Sequence, residues 1–443
     1  MTTQNPPGRM SLTRVASAAV IGTTIEWYDF FIYGTASALV FNRVFFPETT
    51  PLTGTLLAFS TFAVGFIARP LGAIVFGHFG DRYGRKATLV VSLLAMGLAT
   101  FAIGLLPSYG TAGALAPLLL VLMRLVQGFA VGGEWGGAAL IGVEHAPPRK
   151  KVLFGSFAQL GSPLGLLLAT AVFQVVALTA GGTSPDGFAW RVPFLLSVVL
   201  VPIGLFIRLG ITESKEFAAA RRERAAGPGR VPLVAAVREA GIRILIGFGA
   251  FSGVFVVYYL LTSFTLVYAT ETLKMPESVS LPGNLIAAVV EGVFVVVGAV
   301  ASLRFDARRI AILGAAGLVA WSFPAFALMN ARVPGLLYLA VAVAMVFIGL
   351  GYGVLAGQVA QLFAARVRYT GSSLSYHLGG ALGGGLAPVI ATYLLDLTGS
   401  AWPIAGFCVV IAVMMLACCV LLPRRVSADG EPAAPRVDER ADA

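Results

Sequence analysis

The stretch G22TTIEWYDFFIYG34 decides how this chain folds. It lies in an apolar run from Val15 to Val40, long enough to cross a bilayer, which takes about 20 helical residues. Yet two carboxylates, Glu26 and Asp29, stand near its centre, where each ionised group costs roughly 2.5–3.5 kcal/mol on insertion scales. Three residues apart on a helix, they share one face. Such a helix is sustainable when that face looks into a polar interior. The run therefore predicts a many-helix membrane protein with a path through its centre, the mark of a chain that moves a solute across the membrane.

Composition extends this reading outward. Of 443 residues, 58% are hydrophobic and 12% charged, with mean hydropathy +0.87, against about 45–50% and 25% in soluble domains. Hydropathy and helix breakers predict twelve spans, at 15–40, 56–78, 87–106, 114–142, 152–180, 190–209, 243–269, 282–303, 310–330, 335–362, 371–396 and 401–422. The first residues are polar and the following run is too long for a leader's apolar core, so no cleaved signal is expected. Cys408, Cys418 and Cys419 all fall in the last span, which suits packing better than disulfides, and no metal spacing is present. The net charge of +10 might suggest nucleic acid, but its placement points elsewhere. With both termini inside, most of the 31 Lys and Arg lie in inner segments, and the outer loops carry Arg43, Arg191, Lys274 and Arg332. This positive-inside pattern predicts a multi-pass protein of the cell (inner or plasma) membrane with both termini cytoplasmic. Its expected partners are the lipid bilayer and a small-molecule substrate, with no nucleic acid and no obligate protein partner.

Thr212–Gly241 is the longest internal polar segment and reads as a cytoplasmic linker between two six-helix halves, 1–211 and 242–423. It is too short for a catalytic domain. The tail, 424–443, is polar and Ala/Pro-rich and is expected to be disordered. A weak repeat supports the two halves. G77HFGDRYGRK86 after the second span has a counterpart in S302LRFDARRI310 after the eighth, and G155SFAQLGSPLG165 has one in G371SSLSYHLGGALG383. Repeated halves joined by a long loop are typical of secondary transporters, with the substrate held between them near the midplane.

The loop G77HFGDRYGRK86 carries glycines for a tight helix-to-helix turn and an acid and bases that hold it at the membrane face. Its spacing resembles the loop 2–3 motif of the major facilitator superfamily. Together with E26WYDFFIYG34, A68RPLGAIVFGHFGDR82, R124LVQGFAVGGEWGGAAL140, E144HAPPRK150 and R368YTGSSLSYHLGGALGGGLAP388, it resembles the metabolite:proton symporter family. That family includes shikimate, alpha-ketoglutarate, citrate and proline/betaine carriers, and the first four segments are most similar to the shikimate branch. The resemblance implies an all-α major facilitator fold of twelve helices in two six-helix halves. It also implies a gating latch at Gly77, Asp81, Arg82, Gly84, Arg85 and Lys86 that stabilises the outward-facing state. The copy after the eighth span departs from the family pattern, with Leu303 and Asp306 where Asp and Gly are usual, which puts its gating role in doubt.

Arg69 and Arg124 fall at the depth of Glu26 and Asp29, so the four must pair or line a hydrated cavity. One reading is a permanent ion-pair network; the other leaves one guanidinium free to clamp a substrate carboxylate with its planar fork. Arg124 is favoured as the clamp, because the fourth span lines the cavity in the implied fold. Tyr33, Gln127, Gln159, Tyr258 and Tyr376 complete the candidate substrate contacts. Four acids are candidate proton carriers. Asp29 is read as the fixed partner of an arginine, Glu26 as the main carrier, Glu134 as an inner relay and Glu291 as a lower-ranked alternative. The glycines around Glu134 read as helix packing.

No phosphate-binding GxxxxGK[ST] is present, and His78, His145 and His377 are scattered, so neither a nucleotide-driven pump nor an enzyme is expected. Ser162 interrupts the Gly-Pro pair that a drug exporter would carry in its fifth span, which favours uptake. The reading is proton-coupled symport of a small organic acid such as shikimate or a di/tricarboxylate, with protons as coupling ion and no cofactor. Uptake of a zwitterionic osmolyte such as proline or glycine betaine is the alternative, and a transporter-like membrane sensor a remote third.

Overall fold

The computed structural model describes residues 12–83, 85–132, 146, 150–179, 187–209, 232–364 and 367–423. Among them every regular element is a helix. Ten helices are long and apolar enough to cross a membrane. To these are added α1 (Leu12–Leu39), which holds the buried acids, and α4 (Leu115–Val131), apolar but shorter over its described part. In chain order the others are α2 (Pro51–Tyr83), α3 (Arg85–Leu105), α5 (Lys151–Thr179), α6 (Ala189–Phe206), α7 (Arg238–Thr272), α8 (Glu277–Ala301), α9 (Ala307–Asn330), α10 (Pro334–Ala360), α11 (Arg368–Thr398) and α12 (Trp402–Val420). They follow the order the hydropathy predicts.

Lipid chains are as apolar as Leu, so association of these helices rests on close backbone approach. α2 and α4 show it directly. A Cβ on Gly128 would strike the carbonyl of Gly65, and one on Gly132 the carbonyl of Arg69. The α4 glycines therefore bring two backbones together and seat Arg69 and Arg124 beside each other. Gly161 and Gly165 do the same for α5 against α1, meeting Thr23 and the Trp27–Tyr28 backbone. This is the packing use of G161SPLG165.

α7 is the most enclosed of the ten spans, while α6 and α12 are the least. Large apolar side chains such as Leu98, Leu118, Phe206 and Val410 face outward, as a lipid-facing surface requires. Cys408, Cys418 and Cys419 are free thiols on α12. Three π-helical turns interrupt the carboxy-terminal half, Leu260–Phe264 and Tyr268–Thr272 in α7 and Ala381–Leu386 in α11. Such turns concentrate at functional sites, and here they fall in two helices that border the centre. After α8, Asp306 accepts a hydrogen bond from the Arg308 amide at 3.0 Å and caps the start of α9. Its place in the second copy of the latch sequence is thus that of an N-cap.

Candidate functional site

The charged level is built around Phe30. The Arg69 guanidinium carbon lies 3.8 Å from that ring's centroid and 4.2 Å from that of Phe66, and Arg124 approaches Phe30 from 5.0 Å. Glu26, Asp29, Arg69, Arg124 and Glu291 are all at most 2% exposed. Buried charges at this depth must find partners or a ligand, so their hydrogen bonds decide their roles.

Two of the three Arg124 nitrogens are taken by protein. Its Nη1 donates to Gln127 Oε1 at 2.9 Å, its Nη2 to the Phe62 carbonyl at 3.3 Å, and its plane lies 3.9 Å from the Tyr33 ring centroid. Gln127 Nε2 in turn donates to Thr100 Oγ1 at 2.6 Å, and Thr100 lies 3.0 Å from Asp29 Oδ2, positioned to donate. A relay of two neutral side chains thus connects the guanidinium to the carboxylate. Tyr33 is itself held by Thr61, 2.6 Å away.

Arg69 differs. None of its three guanidinium nitrogens has a hydrogen-bond partner, although the residue is 1% exposed. Two aromatic faces hold the plane, and its nitrogens are buried without an acceptor. The sequence favours Arg124 as the clamp. The hydrogen bonds set the two apart: Arg124 uses two nitrogens on Gln127 and Phe62 and has only its Nε unpartnered, while all three nitrogens of Arg69 are unpartnered. Hydropathy cannot show this, since both arginines sit at similar depth in apolar helices.

The opposite wall comes from α7, α8, α10 and α11. The Tyr259 ring packs edge-on to Phe66 at 5.4 Å, and its hydroxyl, buried without a hydrogen-bond partner, lies within electrostatic range of Arg69, Arg124, Glu26 and Glu291. Tyr376 pairs with Tyr352 at 3.2 Å and is in range of Glu26 and Arg69. Ser162 Oγ of α5 lies 3.2 Å from Glu291 Oε1 and 3.4 Å from the Tyr258 hydroxyl, while Glu291 Oε2 has no partner. Gln159 is fully buried on α5. Thr100 and the pairing of Ser162 with Glu291 escape sequence reasoning. A lone Thr or Ser in an apolar span carries no signal of its own, and residues far apart in sequence meet only through packing.

The two halves touch on both sides of this level. On one side Gly34 of α1 lies against Ser263 of α7, and Phe31 packs on Tyr258 and Tyr259. On the other, His377 Nε2 lies 3.1 Å from the Gly132 carbonyl, and Gly357 of α10 fits against Val152 of α5. His377, read from sequence as a residue near a helix start, is fully buried and bridges the halves. Glu134 lies outside the described residues, as does Gly84. Gly77, Asp81 and Arg82 lie in the last turns of α2, and Arg85 and Lys86 in the first turn of α3, so the described part of the latch sequence ends one helix and begins the next.

A central charged site between two helical halves defines a membrane transporter, and the comparisons agree. The model of the sugar (and other) transporter family matches residues 15–227. An inner membrane metabolite transport protein of Escherichia coli is 39% identical over 87% of this chain and 88% of its own length. The shikimate transporter of Escherichia coli is 37% identical over 95% and 96%. The proline/betaine transporter of Salmonella typhimurium is 32% identical over 91% and 82%. Among solved structures, the D-xylose-proton symporter shares the fold with a TM-score of 0.71 at 16% identity, covering 95% of this chain and 99% of the other. The chain belongs to the major facilitator superfamily, in the group of metabolite transporters these relatives represent.

Proposed function

We propose that this transporter carries out proton-coupled uptake of a small organic acid whose carboxylate is clamped by Arg69. The observation that carries the reading is the fully buried guanidinium with three unpartnered nitrogens. Leaving a buried charge unsatisfied is costly, and a bidentate carboxylate supplies what is missing. Asp29 stays in the Arg124 relay as a fixed group. Glu26, which like Arg69 lies in range of Tyr259 and Tyr376 opposite, exchanges the coupling proton, with Glu134 as the inner relay. No cofactor is invoked, and the protein works in the cell membrane with both termini cytoplasmic.

The alternation follows from differential binding, since a ligand shifts a two-state protein only by its preference between the states. A neutralised Arg69 lets the halves rock about the contacts that close each end, and the Asp81 latch favours one of the two openings. The test is uptake of labelled shikimate, dicarboxylates, citrate, proline and betaine into proteoliposomes under an imposed pH gradient. Accumulation of an acid that collapses with a protonophore is expected. Full-rate uptake that ignores protons and follows sodium overturns the coupling.

A second reading, uptake of a zwitterion, is supported by one feature. Trp27, Phe31, Phe255, Tyr258 and Tyr259 pack together, with Trp27 and Phe31 stacked at 5.2 Å, and the Tyr258 hydroxyl and Glu291 share Ser162. Aromatic faces of this kind bind quaternary ammonium groups.

A further inference from the structure

The site has a second unpartnered pole, contributed by the other half. Glu291 of α8 is 1% exposed. One carboxyl oxygen is within hydrogen-bond distance of Ser162 Oγ on α5; the other, Oε2, has no partner. The Tyr258 hydroxyl stands beside the same serine at 3.4 Å. Between this cluster and Arg69 lies Tyr259, whose hydroxyl is also unpartnered. The steps are short: Arg69 to Phe66 is 4.2 Å, Phe66 to Tyr259 5.4 Å and Tyr259 to Tyr258 5.6 Å. Packed rings therefore connect the guanidinium on α2 through α7 to the cluster at the carboxyl on α8, with buried unpartnered polar atoms on Arg69, Tyr259 and Glu291.

We infer that Ser162, Tyr258 and Glu291 form a specificity subsite that recognises hydroxyl groups on the end of the substrate opposite its carboxylate. The preferred cargo is then a hydroxylated monocarboxylate, not a di- or tricarboxylate. This rests on the reading of Arg69 as the carboxylate clamp. Two arguments select the ligand chemistry. Arg124 is already bonded to Gln127 and Phe62 through two of its three nitrogens, so Arg69 is the more available guanidinium, and a second carboxylate would meet Glu291, a like charge whenever that carboxyl is ionised. A hydroxyl both donates and accepts, so it satisfies Glu291 Oε2 whether that carboxyl is ionised or protonated and stays bound through a protonation cycle. An ammonium group would satisfy the ionised state alone. Because Ser162 belongs to one half and Glu291 to the other, a hydroxyl seated here also bridges the two bodies that must move.

The experiment measures binding to the full chain in nanodiscs, using shikimate, cyclohex-1-ene-1-carboxylate (the same ring and carboxylate without hydroxyls), citrate and glycine betaine. The wild type is expected to prefer shikimate over the deoxy acid by about tenfold or more, since a site built to hydrogen-bond a hydroxyl rejects the analogue that lacks it. Glu291→Leu and Tyr258→Phe should erase that preference through shikimate alone, while Glu291→Gln, which still donates and accepts, retains most of it. Unchanged preference in Glu291→Leu and Tyr258→Phe overturns the inference. So does equal loss of both acids, the signature of a packing role, and so does tighter binding of citrate or glycine betaine than of shikimate. Wild type that binds neither monocarboxylate, or Arg69→Lys that binds both normally, refutes the clamp itself, a failure distinct from that of the hydroxyl subsite.

Discussion

Replacing each central arginine by lysine separates a ligand clamp from a structural brace. At Arg69 the ammonium keeps the charge and its attraction to Phe30 and Phe66 but loses the planar fork. A bidentate carboxylate would engage two of the three nitrogens that stand unpartnered in the structure, and lysine retains a single such contact. One hydrogen bond between charged groups is worth about 1.5–3 kcal/mol, so substrate affinity should fall about 10- to 150-fold. The thermal midpoint without ligand should change little, because no protein hydrogen bond is broken. At Arg124 the same substitution cuts into the bonds to Gln127 and the Phe62 carbonyl. An acceptor left unsatisfied there costs about 1–3 kcal/mol of stability, while affinity in the folded fraction should stay within about threefold of wild type, because Arg124 makes no contact in the proposed clamp. Ligand binding in nanodiscs and thermal unfolding by intrinsic fluorescence, measured on both variants, give the four numbers. Affinity lost at Arg124 and kept at Arg69 would refute the assignment drawn from the hydrogen bonds.

The remaining predictions address coupling and packing. Glu26→Gln should abolish accumulation against a gradient while sparing substrate exchange, whereas Asp29→Asn should damage both by weakening the Thr100–Gln127–Arg124 relay; proton-driven uptake and exchange assays on the two variants check it, and the reverse pattern exchanges the roles. Gly128→Ala should force α2 and α4 apart, since the added Cβ meets the Gly65 backbone, at about 1–3 kcal/mol, read as a lowered yield of monodisperse protein. Asp306→Ala removes the cap of α9 and should cost about 1 kcal/mol with transport rates unchanged, and a specific transport defect in a stably folded variant would restore a gating role to this loop.

Much of this protein is legible in its sequence, because a bilayer is a simple solvent. Lipid offers no hydrogen bonds, so a chain spans it as helices or as a closed barrel, and apolar runs this long mark helices. The twelve runs, and the acids that break the first one, can therefore be read without any knowledge of contacts. Depth is equally legible, since rise per residue converts position into height, and it places Glu26, Asp29, Arg69 and Arg124 at one level. Rotation about each helix axis and the identity of facing side chains are not encoded that way. They depend on where Gly65 meets Gly128 and where Gly161 meets Thr23, contacts between helices distant in the chain. Only the tertiary structure could decide that Gln127 and Phe62 take two nitrogens of Arg124, that Phe30 and Phe66 hold Arg69 with its nitrogens unpartnered, and that Ser162 crosses between halves to Glu291. Partial hydrogen-bond satisfaction separates a clamp from a brace, and it is a property of three-dimensional neighbours that no linear spacing records.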